Sequence, residues 1–83
     1  MKLLEAAGYR CMKAGASLGV FDVIGIGAAD VVCVQVKSNA WPRSVEMDAL
    51  EAFAVPPNVR KVVHRWKDRA RQPDVRIVGT GIN

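Results

Sequence analysis

Short runs of alternating apolar and polar residues fill most of the chain, and glycine, proline and small polar residues separate them. Residues 1–7 predict the end of a helix, which Gly8 terminates in the left-handed conformation that glycine tolerates. Alternation and β-branched residues then predict strands. The predicted strands cover residues 9–14, 20–26, 31–38, 59–66 and 75–78.

A second helix is predicted between the third and fourth strands. Ser44 is expected as its N-cap, with Glu46 and Asp48 in the first turn, where the helix dipole favours acidic residues. Pro56 and Pro57 end it. Its apolar stripe is predicted at Val45, Met47, Leu50, Phe53 and Ala54.

The predicted order α-β-β-β-α-β-β indicates a single α+β domain over residues 1–83, with a mostly antiparallel five-stranded sheet flanked by helices. The second and third strands form a hairpin, and the polar turn 67–74 joins the fourth and fifth strands. The first helix looks shortened, as if its upstream part were missing.

Composition narrows the class of protein. Half of the residues are hydrophobic, which favours a globular domain, and a chain of 83 residues is short enough that we expect a homodimer. The net charge of +4 is consistent with a nucleic-acid partner, although inert small domains are often basic too. No signal peptide or membrane span is predicted, so we expect a cytoplasmic protein without a membrane partner. Cys11 and Cys33 lie in apolar runs without a CxxC motif and are predicted to be buried thiols.

Polar residues converge at one end of the predicted hairpin. If its turn is centred on residues 28 and 29, Asp22 lies opposite Gln35, and Lys37 points to the same face. Val32, Val34 and Val36 then point to the other face and into the core. Two interpretations are open from the spacing. In the first, Asp22 and Lys37 form a cross-strand ion pair. In the second, Asp22 and neighbouring oxygens such as the Val36 carbonyl hold Mg²⁺ or Mn²⁺, and Lys37 acts beside the metal.

The segment GVFDVIGIGAADVVCVQVKS (19–38) resembles the core signature of the PD-(D/E)XK nuclease superfamily, and especially the archaeal and phage Holliday-junction-resolvase-like nucleases. The resemblance extends to GYRCMKAGASLG (8–19) and RKVVHRWKDRARQPDVRIV (60–78). It implies a restriction-endonuclease-like core, a prokaryotic or phage origin and a branched DNA substrate. By the resemblance, Asp22 binds metal, Lys37 is catalytic, Gln35 replaces a second acidic ligand, and Ser17 lies near the scissile phosphate.

The sequence departs from the family's pattern in its acidic residues. Gln35 is neutral, so the site has one carboxylate fewer, although an amide oxygen can still bind a metal. The family's glutamate from the first helix has no confident match, because Glu5 is too close to Gly8. Glu46 is a candidate replacement, but its position in the first helical turn is explained as readily by the helix dipole.

The C-terminal hairpin is strongly basic and includes Arg60 and Lys61. His64 is predicted to be a sheet residue rather than a catalytic base. Three functions remain open: a metal-dependent DNA endonuclease, a nucleic-acid-binding module that cuts poorly or not at all, and a structural protein. The residues predicted to contact nucleic acid are Lys13, Ser17, Arg65, Lys67, Arg69 and Arg71.

Overall fold

The computed structural model describes residues 2–14 and 20–79. Its element order confirms both the predicted sequence of helices and strands and the α+β class. Gly8 follows the first helix with a φ of 95°, as predicted for its left-handed terminating residue. The elements are α1 (Lys2–Ala6), β1 (Arg10–Lys13), β2 (Val23–Ile26), β3 (Val31–Ser38), α2 (Ser44–Ala52), β4 (Val59–Trp66) and β5 (Asp74–Val78).

The strands form one sheet in the order β1-β2-β3-β4-β5. The pairs β1–β2, β2–β3 and β4–β5 are antiparallel, whereas β3 and β4 are parallel. The prediction of a mostly antiparallel sheet is therefore wrong, and the sheet is mixed. The segment that contains α2 carries the chain back to the starting end of β3, which is the connection that parallel neighbours need.

Each face of the sheet has its own apolar cluster. On the face that carries α2, called the α2 face, Leu50 packs with Phe21, Cys33, Val63 and Val78. On the opposite face, called the α1 face, the buried cluster packs against Leu4 of α1 and neighbouring side chains. That cluster consists of Val23, Val32, Val34 and Val62. The core thus lies on both sides of β3 and β4, which fixes these two strands firmly.

Three residues predicted to be in the core are exposed. Val36 is 40% exposed, although Val32 and Val34 on the same face are buried as predicted. Val45 is 78% exposed because it lies two residues from Met47, and residues two apart on a helix do not share a face. Ala54 is exposed because α2 has ended before it.

The ends of α2 are held by polar contacts. The helix begins at Ser44 as predicted, but Arg43 is the N-cap residue, and its backbone N–H donates to Glu46 Oε1 at 3.1 Å. At the other end, the fully buried side chain of Lys61 donates to main-chain carbonyls of the last turn. Cys11 and Cys33 form no disulfide, as predicted, but only Cys33 is buried and Cys11 is half-buried. Burial raises the pKa of the Cys33 thiol. None of the described helices is long and apolar enough to cross a membrane.

Candidate functional site

The predicted polar residues meet near the C-terminal end of β3, beside the start of α2. The predicted register of the hairpin is confirmed as far as Val23 opposite Val34, but β2 begins only at Val23. The Asp22 N–H bonds to the carbonyl of that same Val34, so the ladder does not continue to Asp22 opposite Gln35 as predicted. Lys37, two residues beyond Gln35, lies on the same face because strand side chains alternate. This face is the α2 face, since Gln35 follows Cys33 by two residues.

Asp22 is anchored by both its backbone and its side chain. Its backbone N–H donates to the Val34 carbonyl at 2.8 Å, and its own carbonyl accepts from Ala14 at 2.9 Å. Oδ2 accepts the N–H of Val36 at 2.8 Å, which leaves Oδ1 as the second carboxylate oxygen. Within a strand, the N–H and C=O of one residue point to the same side. The Val36 carbonyl is therefore directed toward the β2 side, where Asp22 lies.

Gln35 carries an unusual polar atom. Its Oε1 is buried and has no hydrogen-bond partner in the described part of the chain. A buried acceptor left in this state costs about 1–3 kcal/mol, so such atoms call for an explanation. A water molecule, a donor group or a metal ion at this position would remove the cost.

The candidate oxygen ligands are of the chemical type that binds a hard divalent cation. Asp22 Oδ1, Gln35 Oε1 and the Val36 carbonyl are the type of donor that Mg²⁺ and Mn²⁺ accept. In the described residues, no group of three or more His, Cys, Asp or Glu side chains is placed to hold a metal. The fit is thus to an ion held by one carboxylate, which Mg²⁺ tolerates when waters and substrate phosphate complete its coordination.

Lys37 is paired with Glu46 and not with Asp22. Its Nζ lies 3.2 Å from Glu46 Oε2, and the two side chains are 27% and 40% exposed. The cross-strand ion pair of Asp22 with Lys37, the simpler interpretation of the spacing, is not among the ion pairs of the described residues. The Arg43 N–H and the Lys37 ammonium lower the pKa of Glu46, which keeps its carboxylate ionised.

Glu5 and Glu46, the two candidates for the family's glutamate, lie on different sides of the sheet. Glu46 reaches the site through Lys37, with which it forms an ion pair. Glu5 is exposed on α1, whose Leu4 packs on the opposite face of the sheet. Glu46 is therefore the acid that belongs to this side of the molecule.

The residues predicted to contact nucleic acid are spread unevenly. Lys13 is exposed at the end of β1, where its Cα partner is Val23. Lys67, Arg69 and Arg71 are exposed in the turn between β4 and β5. Ser17 lies outside the described residues.

Arg65 has the most contacts of the predicted basic residues. It is the Cα partner of Lys37 across the parallel pair. Its guanidinium binds Asp74 Oδ2 at 2.6 Å and lies 4.3 Å from the centre of the Trp41 ring, while its Nε is buried without a partner. Arg65 and, more weakly, Lys67 at 3.7 Å share the Asp74 carboxylate. The Arg65 hydrogen bond is the main cause of a lowered pKa of Asp74.

Other basic residues serve the fold. Lys61 is fully buried, so the prediction that it belongs to a basic hairpin surface is wrong. Arg60 lies 3.0 Å from Asp30 and donates to the Tyr9 hydroxyl at 2.8 Å. His64 is buried in β4 opposite Val36, on the α1 face, which agrees with its prediction as a sheet residue.

Two residues of the site were missed from the sequence. The guanidinium of Arg76 also lies 4.3 Å from the centre of the Trp41 ring. Trp41 brings together two arginines from different strands, Arg65 of β4 and Arg76 of β5. The alternation of β5 was the available signal, since Arg76 precedes the buried Val78 by two residues and shares its face.

Comparison with known proteins adds no relative, because no protein-family model, curated protein or solved structure matches the chain.

Proposed function

We propose that the protein is a metal-dependent DNA endonuclease of the PD-(D/E)XK type, acting on branched DNA such as a four-way junction. The observation that carries the proposal is the buried, partnerless Gln35 Oε1 next in sequence to Val36, whose N–H binds the Asp22 carboxylate. The mixed sheet with α2 on the face of this site is compatible with the restriction-endonuclease-like core that the sequence resemblance implies.

Each residue has a separate role in the proposed reaction. Asp22 Oδ1, Gln35 Oε1 and the Val36 carbonyl would hold Mg²⁺ or Mn²⁺, which polarises the scissile phosphate and lowers the pKa of a water molecule. Lys37, on the same face as Gln35, directs its ammonium at the attacking water or at the negative charge that develops on the phosphate. Glu46 keeps that ammonium in place, because the pair is 3.2 Å apart and Glu46 is itself fixed to the Arg43 N–H.

A second candidate function is a DNA-binding module that cuts poorly or not at all. The single carboxylate beside Gln35 favours it, because one acid binds a cation less strongly than two. Both functions require DNA binding, so only a cleavage measurement separates them.

The test is the cleavage of a labelled four-way junction and a linear duplex in Mg²⁺ and in Mn²⁺. Asp22→Asn preserves an acceptor for the Val36 N–H but removes the charge, and Lys37→Ala removes the ammonium. We expect both to abolish metal-dependent cutting. Gln35→Glu adds the second acid and is expected to raise both metal affinity and cleavage. Wild type that binds DNA but leaves every substrate intact in both metals would establish the binding module instead.

A homodimer is part of the proposal, because resolving a junction takes two symmetric nicks. Light scattering coupled to gel filtration measures the mass of the protein alone and with junction DNA. Two protein chains per junction are expected, and one chain per junction would contradict a resolvase.

A further inference from the structure

Several basic side chains on the sheet already have partners in the fold. Lys61 is buried against carbonyls, Arg60 is paired with Asp30, and Lys37 is paired with Glu46. Arg76 differs from them. It is exposed in β5 and takes part in no ion pair among the described residues.

The guanidinium of Arg76 is nevertheless held in place. It lies 4.3 Å from the centre of the Trp41 ring, and the Arg65 guanidinium lies at the same distance from that ring. Trp41 itself packs against the α2-face core, so the ring is a fixed support. Stacking on an aromatic ring limits the rotamers of an arginine, and less entropy is then lost when the arginine binds an anion.

Positive charge is in excess around this ring. Asp74 is the carboxylate that pairs with Arg65 and Lys67, and Arg76 has no counter-charge within the described residues. Two guanidinium groups on one ring repel each other, and an anion bound between or beside them would relieve that repulsion. Planar guanidinium groups match phosphate oxygens in geometry as well as in charge.

The position of Arg76 relates it to the proposed nuclease site. Pairing of β5 with β4 places Arg76 opposite Val63, on the same face as Gln35 and Lys37. Neighbouring strands are about 4.8 Å apart, so β5 lies roughly 10 Å from β3. The two positions are therefore close enough for neighbouring phosphates of one DNA strand to reach both.

We propose that Trp41, Arg65 and Arg76 form a phosphate-binding track that carries the DNA backbone from the Asp22 site outward across β4 to β5. The proposal rests on the proposed function, since it assigns the path of the same substrate. Arg76 contacts a phosphate, and Trp41 is a positioning residue that holds Arg76 and Arg65. The contact is to the backbone and is independent of base sequence.

The test separates binding from cutting. The affinity of full-length protein for a labelled duplex and a labelled four-way junction is measured by fluorescence anisotropy in Ca²⁺ over a series of salt concentrations. Arg76→Gln is expected to weaken binding roughly 5–10-fold and to lower the slope of log affinity against log salt by about 0.9, the value for one lost phosphate contact. Arg76→Lys retains the charge without the planar stack, and its affinity is expected to lie between those of wild type and Arg76→Gln.

Arg10→Gln is the matched control, because Arg10 is an exposed arginine at the other edge of the sheet. An unchanged affinity and slope in Arg76→Gln would overturn the track, and so would an equal loss in Arg10→Gln, since binding would then follow net charge alone. Trp41→Phe is expected to weaken binding less than Arg76→Gln does. DNA affinity that depends on Arg76 without any cleavage in Mg²⁺ would sustain the track and refute the nuclease.

Discussion

The buried Lys61 gives the sharpest test of how the fold is held. Its ammonium donates to the carbonyls of Leu50, Glu51 and Phe53 at 2.6, 3.1 and 2.8 Å. These carbonyls belong to the end of α2, where a helix leaves its last C=O groups without internal partners. An ammonium has three N–H donors, so the three bonds use all of them. Lys61→Met removes every donor while keeping a chain of similar size.

The expected loss of stability follows from the surroundings of each carbonyl. The contact to Leu50 is buried, and its loss leaves that carbonyl with only the longer bond from the Phe53 N–H at 3.3 Å, at about 1–3 kcal/mol. The contacts to Glu51 and Phe53 are only partly buried, and water can take over there. Losing a positive charge at a helix C-terminus adds up to about 2 kcal/mol.

An opposing effect reduces that sum. Burial lowers the pKa of Lys61, although the nearby Glu51 carboxylate raises it, and Met escapes the cost of burying a charge. We expect a net loss of roughly 2–4 kcal/mol in the free energy of unfolding. Because small domains have about 0.05–0.15 kcal/mol of stability per residue, such a loss is a large share of the total.

The assay is urea unfolding followed by circular dichroism. Lys61→Met is expected to unfold at a clearly lower denaturant midpoint with a similar slope. Lys67→Met is the matched control, because the Lys67 side chain is 62% exposed, and it is expected within about 0.5 kcal/mol of wild type. A Lys61→Met variant within 1 kcal/mol of wild type would refute the reasoning, since burying the ammonium would then cost about as much as its bonds contribute.

Three further predictions concern other contacts. Gly27→Ala would place a Cβ 2.8 Å from Cε1 of Tyr9, whose hydroxyl is bound to Asp30. We expect about 1–3 kcal/mol of destabilisation in urea unfolding. Gly79→Ala is the control, because the space around Gly79 is open, and it should change the free energy of unfolding little. Burial lowers the pKa of His64, so the unfolded chain binds its proton more readily, and stability should fall as pH drops below about 6.5. His64→Gln should reduce that fall, which is at most about 1.4 kcal/mol per pH unit for one proton. Glu46→Gln should lower the free energy of unfolding by under about 1 kcal/mol, because its ion pair with Lys37 is partly exposed. It should nevertheless slow cleavage, because Lys37 is released. An unchanged cleavage rate would show that Glu46 has no role in the site.

Local signals predicted the elements well. The bounds of β3 and β4 match the prediction because both strands are long β-branched runs between turn or proline residues. The register of β2 against β3 followed from the turn between them, since a short hairpin loop fixes the pairing of its strands. The break at Asp22, whose N–H bonds to the Val34 carbonyl, was not predicted.

Non-local features were missed for a physical reason. The parallel pairing of β3 with β4 depends on how the α2 segment crosses the sheet, which no short window of sequence encodes. The burial of Lys61 depends on carbonyls about ten residues earlier in the chain, so composition alone assigned it to the basic surface. Alternation did contain a hint, because Lys61 precedes the buried Val63 by two residues.

The same parallel pairing explains why the site extends beyond the hairpin. Asp22 meets β3 within the hairpin, through the Val36 N–H, but β4 brings Arg65 beside Lys37 only because the two strands run in the same direction. Arg65 in turn meets Trp41, which lies just before α2. A change at Lys61, at the far end of α2, should therefore reach the site through the helix that carries Glu46. If Lys61→Met weakened stability without altering the Glu46–Lys37 contact, α2 would be fixed at its two ends independently.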